Sequence, residues 1–286
     1  MTLSTIRNNP AKQKKVKTKK QKAIAATCAV AFWLLVWHVV SLCVGSELVL
    51  VSPVKVVQTL FTVLFDPDFL KTVWYSAARI LGGFFTALTL GTVLGWVASR
   101  FWVVETLLRP ITAVIKATPV ASFIILVLLW FSGKNLSVII SMLMVFPVIY
   151  MNVLEGIRSA DEKLLEMAQV FRLSVGKKLL YIYLPAVAPF FVSACSVSLG
   201  LCWKSGIAAE VIGTPDGSIG AVFYQAKIFL QTSELLAWTV VVVAVSVAFE
   251  KLFMFLLRLV LKKLKMEDVL NLSLIHISEP TRRSYI

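Results

Sequence analysis

Apolar residues in this chain gather into blocks of about 20, and no other feature constrains the fold as tightly. A helix rises about 1.5 Å per residue, so such a block covers the roughly 30 Å of hydrocarbon in a bilayer. The full sequence is 58% hydrophobic and 15% charged, whereas a soluble domain carries about 25% charged residues. Surplus apolar residues spread evenly would mean an insoluble core; gathered into blocks, they mean spanning helices. The fold class expected is therefore an all-α polytopic membrane protein with no separate soluble domain.

Six spans are predicted: Ala23–Gly45, Ala77–Ala98, Ile111–Phe131, Leu136–Glu155, Ala186–Ala209 and Leu235–Leu257. Pro119 and Pro147 fall inside the third and fourth, which membrane helices tolerate better than soluble ones. The segment from Glu47 to Lys71, with Pro53 and the Asp66-Pro67-Asp68 turn, reads as an external loop holding short helical pieces.

Lysine and arginine set the orientation. With the N-terminus inside, the inner segments hold 19 of them and the outer segments 4. Basic loops stay cytoplasmic, so both termini are expected in the cytoplasm. The net charge of +14 lies largely in the Lys12–Lys22 tail and the inner loops, where it serves topology and attraction to anionic headgroups rather than nucleic acid. Cys28, Cys43, Cys195 and Cys202 all fall in predicted spans; they show no metal-binding spacing and read as small apolar residues. No cleavable signal peptide is expected, because the first block is long and lacks a small-residue cleavage site after it.

The longest inner connection, Ser159 to Pro185, far exceeds what two neighbouring helices need. Leu164, Ala168, Phe171 and Val175 recur in it at helical spacing, predicting an amphipathic cytoplasmic helix pair. Such a pair either lies on the lipid surface or docks into a groove on another protein.

This stretch resembles the cytoplasmic "EAA" loop of ABC importer permeases, whose pattern runs E-A-A, three residues, Gly, nine residues, I-x-L-P. Glu166-Met167-Ala168 opens the pattern and Ile182-Tyr183-Leu184-Pro185 closes it at the right distance. In the family, this loop inserts into a cleft on the ATPase subunit and passes its closing motion to the spans. The resemblance therefore implies that Glu166, Ala168 and the face holding Leu164, Leu165 and Phe171 contact an ATPase. One position departs from the pattern: Arg172 stands where the family has glycine. Either the turn is built differently here, or Gly176 supplies it.

Further stretches resemble the nitrate/sulfonate/taurine branch of these permeases. They are L-P-A-V-A-P-F-F-V-S-A-C-S-V-S-L-G-L-C-W-K-S-G-I-A-A-E-V-I-G, A-A-R-I-L-G-G-F-F-T-A-L-T-L-G-T-V-L-G and R-P-I-T-A-V-I-K-A-T-P-V-A. The likeness covers about residues 30 to 260. It implies a bacterial inner-membrane permease subunit with three partners: an ATPase, an extracytoplasmic solute-binding protein and a second permease copy. Sulfonates, taurine, nitrate and thiamine-precursor pyrimidines all suit the branch. A secondary carrier or channel, or a membrane scaffold subunit, stands as the alternative.

The organisation expected is a basic cytoplasmic tail (1–22), a transmembrane permease domain (23–260) with its coupling loop (159–185), and a cytoplasmic anchor (261–271). Residues 272–286 stand apart: Leu272-Ser273-Leu274-Ile275-His276-Ile277-Ser278-Glu279-Pro280-Thr281-Arg282 resembles a translated sequencing adapter and is read as non-native.

Individual residues carry further expectations. Gly91 and Gly95, with Gly82 and Gly83 a little over two turns earlier, suit close helix packing. Lys204 either snorkels to the headgroups or faces an aqueous translocation pathway. Glu210 reads either as an interfacial residue or, with Lys204, as a carboxylate of the translocation pathway; Arg79 reads as an interfacial anchor. Gly133-Lys134 is followed by Asn135, and Gly176-Lys177 by Lys178, so neither forms a phosphate loop. The spans lack clustered carboxylates and histidines, and His38 is the one histidine in a span. Neither catalysis, a metal nor a cofactor is expected of this chain.

Overall fold

The computed structural model describes residues 19–264 and is helical, with no strand among them. The adapter-like run and nearly all of the basic N-terminal tail lie outside these residues. Five helices are long and apolar enough to cross a bilayer: α1 (Lys19–Val44), α3 (Phe69–Arg100), α6 (Gly133–Arg158), α9 (Leu184–Gly213) and α11 (Thr232–Lys263). Between α3 and α6 lie α4 (Trp102–Ala117) and α5 (Val120–Trp130), bent by 110° to each other, a sixth span if the pair counts as one.

That bend corrects the expectation of one straight third span from Ile111 to Phe131. Its cause is local. Proline disfavours helical backbone in the residue before it, and Thr118 before Pro119 is extended with ψ of 134°. Pro147, by contrast, sits inside an unbroken α6. The second span begins at Phe69, eight residues ahead of Ala77, because the Asp66-Pro67-Asp68 turn starts it directly: Asp68 N–H donates to Asp66 Oδ1 at 2.8 Å. The connection between α1 and α3 holds α2 (Pro53–Leu64), with Pro53 in its first turn and Ser52 as N-cap. A further short helix between α9 and α11, α10 (Ile219–Ile228), is absent from the sequence reading.

α6 is the axis. Over its most apolar stretch 56% of residues are buried within the chain, against 6% for α1 and for α11. α3 and α9 flank it, and their shared core includes Ile80, Phe84, Val145, Ile149, Leu199 and Trp203. Lipid tails are as apolar as leucine, so membrane helices associate through close van der Waals packing and hydrogen bonds. Gly83, Ala87, Gly91 and Gly95 repeat every fourth residue and turn to α6. A Cβ at Gly83 would stand 2.4 Å from the Val138 carbonyl oxygen, and one at Gly91 or Gly95 would press on Ile149 or Val153. Gly82 is not part of this stripe and faces open space. On the other side Gly206 of α9 meets Ser141, whose hydroxyl donates to the Cys202 carbonyl at 3.1 Å.

Adjacent glycines therefore separate by experiment. Gly83→Val should lower the melting temperature in detergent strongly, since overpacking against backbone costs about 1–3 kcal/mol. Gly82→Val should leave it nearly unchanged. Equal losses would show that the α3–α6 contact is not the constraint.

Candidate functional site

The connection between α6 and α9 folds as α7 (Glu162–Val170), α8 (Val175–Lys178) and a π-helical turn over Leu179–Tyr183 that runs straight into α9. Asp161 caps α7, its Oδ1 accepting from Lys163 N–H at 2.9 Å. α7 ends in a paired turn: Leu173 N–H donates to the Ala168 carbonyl at 2.9 Å and Arg172 N–H to that of Gln169 at 3.0 Å. This is the Schellman arrangement, which places its left-handed residue just past the cap. That residue is Arg172 itself, with φ of +49°. The turn is thus built at the family position without glycine, and Gly176 lies inside α8 with no positive φ. The π turn has a matching cause: Pro185 has no N–H and its ring crowds the carbonyl four residues back, so the turn before it widens. Leu184 N–H accordingly reaches the Leu179 carbonyl.

The loop has two faces, divided differently from the single sequence stripe. Ala168 is fully buried with Ala160 and Ile182, and Leu165 and Leu173 pack on them. Ala168 and Leu165 therefore tie the loop to the transmembrane body rather than face outward. The stripe failed because α7 stops at Val170, so Phe171 and Val175 do not continue its spacing. On the free side Phe171 is 70% and Val175 80% exposed, with Leu164, Met167 and Val170 also exposed. Glu166 stands exposed there, without a hydrogen-bond or ion-pair partner among the described residues. Leu184 and Pro185 open α9 and are half-buried.

At the opposite end of α9, Glu210 corrects its interfacial reading: it is completely buried. Ser76 Oγ of α3 donates to Glu210 Oε2 at 2.6 Å, and the Gly220 N–H donates to the same oxygen at 3.3 Å. Ser76 in turn accepts from Ile219 N–H at 2.9 Å. One carboxyl thus fastens the start of α10 to α3 and α9. Gly220 permits the approach, since a Cβ there would lie 2.3 Å from Glu210. Ser137 Oγ, Arg79 Nη1 and Glu210 Oε1 are buried without a hydrogen-bond partner among the described residues. Arg79 stacks on Tyr75, 4.3 Å from the ring centre, and is half-buried rather than anchored at the surface. Reading the sequence alone missed Ser76, Gly220 and Ser137; the one signal was a glutamate at a span's end, which does not reveal its partners.

Lys204 is exposed and lines a groove of about 420 Å³ between α9, α10 and α11, with Trp203, Phe223, Thr239 and Ser246 among its walls.

Comparison with known proteins decides the family. The profile described as "Binding-protein-dependent transport system inner membrane component" matches residues 87–266, well over half of the chain, loop and Glu210 included. This chain belongs to that family. The permease is 29% identical over 216 residues to a Bacillus subtilis protein named as an aliphatic sulfonates transport permease, SsuC, covering 74% of this chain and 78% of the relative. To the taurine transport system permease protein TauC of Escherichia coli it is 27% identical, covering 75% and 80%. The nitrate import permease protein NrtB of a Synechocystis strain is 25% identical, covering 71% and 76%. A solved amino acid ABC transporter chain matches at 16% identity and a TM-score of 0.49, covering 68% of this chain and 96% of that one, too loose a likeness to add to this. The permease is thus a multi-pass inner-membrane transport subunit of the nitrate/sulfonate/taurine branch.

Two substitutions test this geometry. Arg172→Gly should raise the permease's thermal stability by about 1 kcal/mol, the cost of holding an L-residue in the left-handed region; a loss of stability would mean the side chain makes a compensating contact. Glu210→Ala should strip buried donors of their acceptor, at about 1–3 kcal/mol. Hydrogen exchange at Ile219 and Gly220 should then accelerate, and unchanged exchange would remove the carboxyl as the fastening of α10.

Proposed function

We propose that this permease is the channel-forming subunit of an ATP-driven importer for a small anionic solute. A solute-binding protein delivers the solute from outside, a separate ATPase docks on the 159–185 loop, and both termini lie in the cytoplasm. The observation that carries this reading is the two-sided loop. Its inner face is held by Ala168 and Ile182, and its free face presents Phe171, Val175 and Glu166 to nothing among the described residues. An apolar, aromatic-tipped projection on an anchored element suits a groove in a partner.

The solute class is supported by the relatives, whose names specify sulfonates, taurine and nitrate. The orientation is supported by the 19-to-4 distribution of basic residues. A pair of identical subunits is supported by packing: α6 fills the middle of the bundle, so a solute path lies beside it, between two copies. ATP binding would draw the ATPases together, and each loop would pass that movement into α9 through the Leu179–Tyr183 turn. The spans would then reopen toward the binding protein.

Phe171→Ala should weaken ATPase association by about 2 kcal/mol, as truncating a packed aromatic anchor does. Glu166→Lys should weaken it further by leaving a charge mispaired at the interface. Both variants should insert normally, lose ATP-driven uptake in vesicles and co-purify less ATPase. Full ATPase binding and uptake in both would exclude the loop as the docking element, and uptake driven by a proton gradient without ATP would point to a secondary carrier.

A further inference from the structure

We infer that the face of α4 carrying Arg109 and Lys116 is an anion-binding wall of the solute path. The two residues lie seven positions apart, two helical turns, which puts them on one line about 10 Å apart along the helix. Together with Thr112, Ala113, Ala117 and Met151 of α6 they line one cavity of about 410 Å³. Both cations are exposed, and neither has a hydrogen-bond or ion-pair partner among the described residues. The nearest carboxylate on the helix, Glu105 one turn before Arg109, is taken by Arg158. The positive charge of this face is therefore unneutralised among the described residues.

Lys116 lies inside the predicted third span and Arg109 two residues before it, and an unpaired cation at such a depth faces water or a partner charge rather than lipid. Snorkelling would pull the two heads apart, Arg109 toward the cytoplasmic end of α4 and Lys116 toward its outer end. Instead both border the same cavity, with the small Ala113 between them. At the Thr118-Pro119 break just beyond Lys116, α5 turns away from α4 by 110°. The occupant that fits is a small oxyanion such as a sulfonate or nitrate group, able to lie between two cations with its other end toward Met151. The Lys204 groove has one cation and mainly apolar walls, and matches an anion less well. This inference rests on the importer reading and names residues for its solute class.

The test places a thiol on this wall in the assembled complex in native membranes, with Cys28 and Cys43 changed to serine. Ala113→Cys, and separately Ala117→Cys, would be reacted with methanethiosulfonates bearing either a sulfonate or a trimethylammonium group. Rates would be normalised to those of a free thiol. Clefts lined by one sign of charge raise local counter-ion concentration tenfold or more. Both cysteines should therefore react and prefer the sulfonate reagent by about tenfold, and the preference should vanish in an R109Q/K116Q background. No reaction at either position, or a preference that survives removal of both charges, would overturn the inference. Its failure is separable from that of the importer reading: an ATPase that still co-purifies while the reagent preference is missing sinks only the anion wall. A persisting preference without any ATPase partner sinks only the importer.

Discussion

The subunit depends on how closely backbones can approach in a solvent that rewards no burial of apolar surface. Between lipid tails and leucine side chains there is little to choose, so cohesion comes from dispersion at short range. α6 obtains it from both sides: the Gly83–Gly95 stripe of α3 lies against its backbone, and Gly206 of α9 makes room for the Ser141 and Ile80 side chains. Trp203, Phe84 and Ile149 then fill the spaces that remain. With α6 as a packed axis, the loop and the Glu210 cluster lie toward the two ends of the bundle.

Both ends of α9 are fastened to that axis by different means. At the loop, Ala168, Ile182 and Leu173 form a small apolar knot. At the opposite end, Glu210 gathers Ser76 and the first amides of α10. A buried carboxylate costs far more than it returns unless donors meet it, and here two donors meet one oxygen while Oε1 has none. The arrangement is one-sided.

Which parts of this were legible in the sequence follows from the range of each signal. The spans were, because hydropathy over 20 residues is a property of the segment alone. The loop's existence and its I-x-L-P closure were legible for the same reason. The 110° break was half visible: Pro119 marks where a helix can end, but the direction of α5 depends on what Ile124 and Val127 find on α6. The two faces of α7 were misdivided because periodicity was carried through Val170, and helix termination at Arg172 resets the phase. Gly82 and Gly83 look alike in sequence and differ by 100° of helix rotation, which only the position of α6 resolves. Glu210 was the hardest, since its partner Ser76 lies 134 positions away.

α9 joins the knot to the clamp without a break, as a single 30-residue helix. It is about 45 Å long, with Pro189 inside it near the loop end. Taken as a straight rod pivoting at the loop end, a tilt of about 5° sweeps the far end by about 4 Å, given that length. That exceeds the reach of a hydrogen bond. A rotation small enough to keep Ala168 and Ile182 in contact would on that geometry part Glu210 from Ser76, so α10 would be released by angle alone.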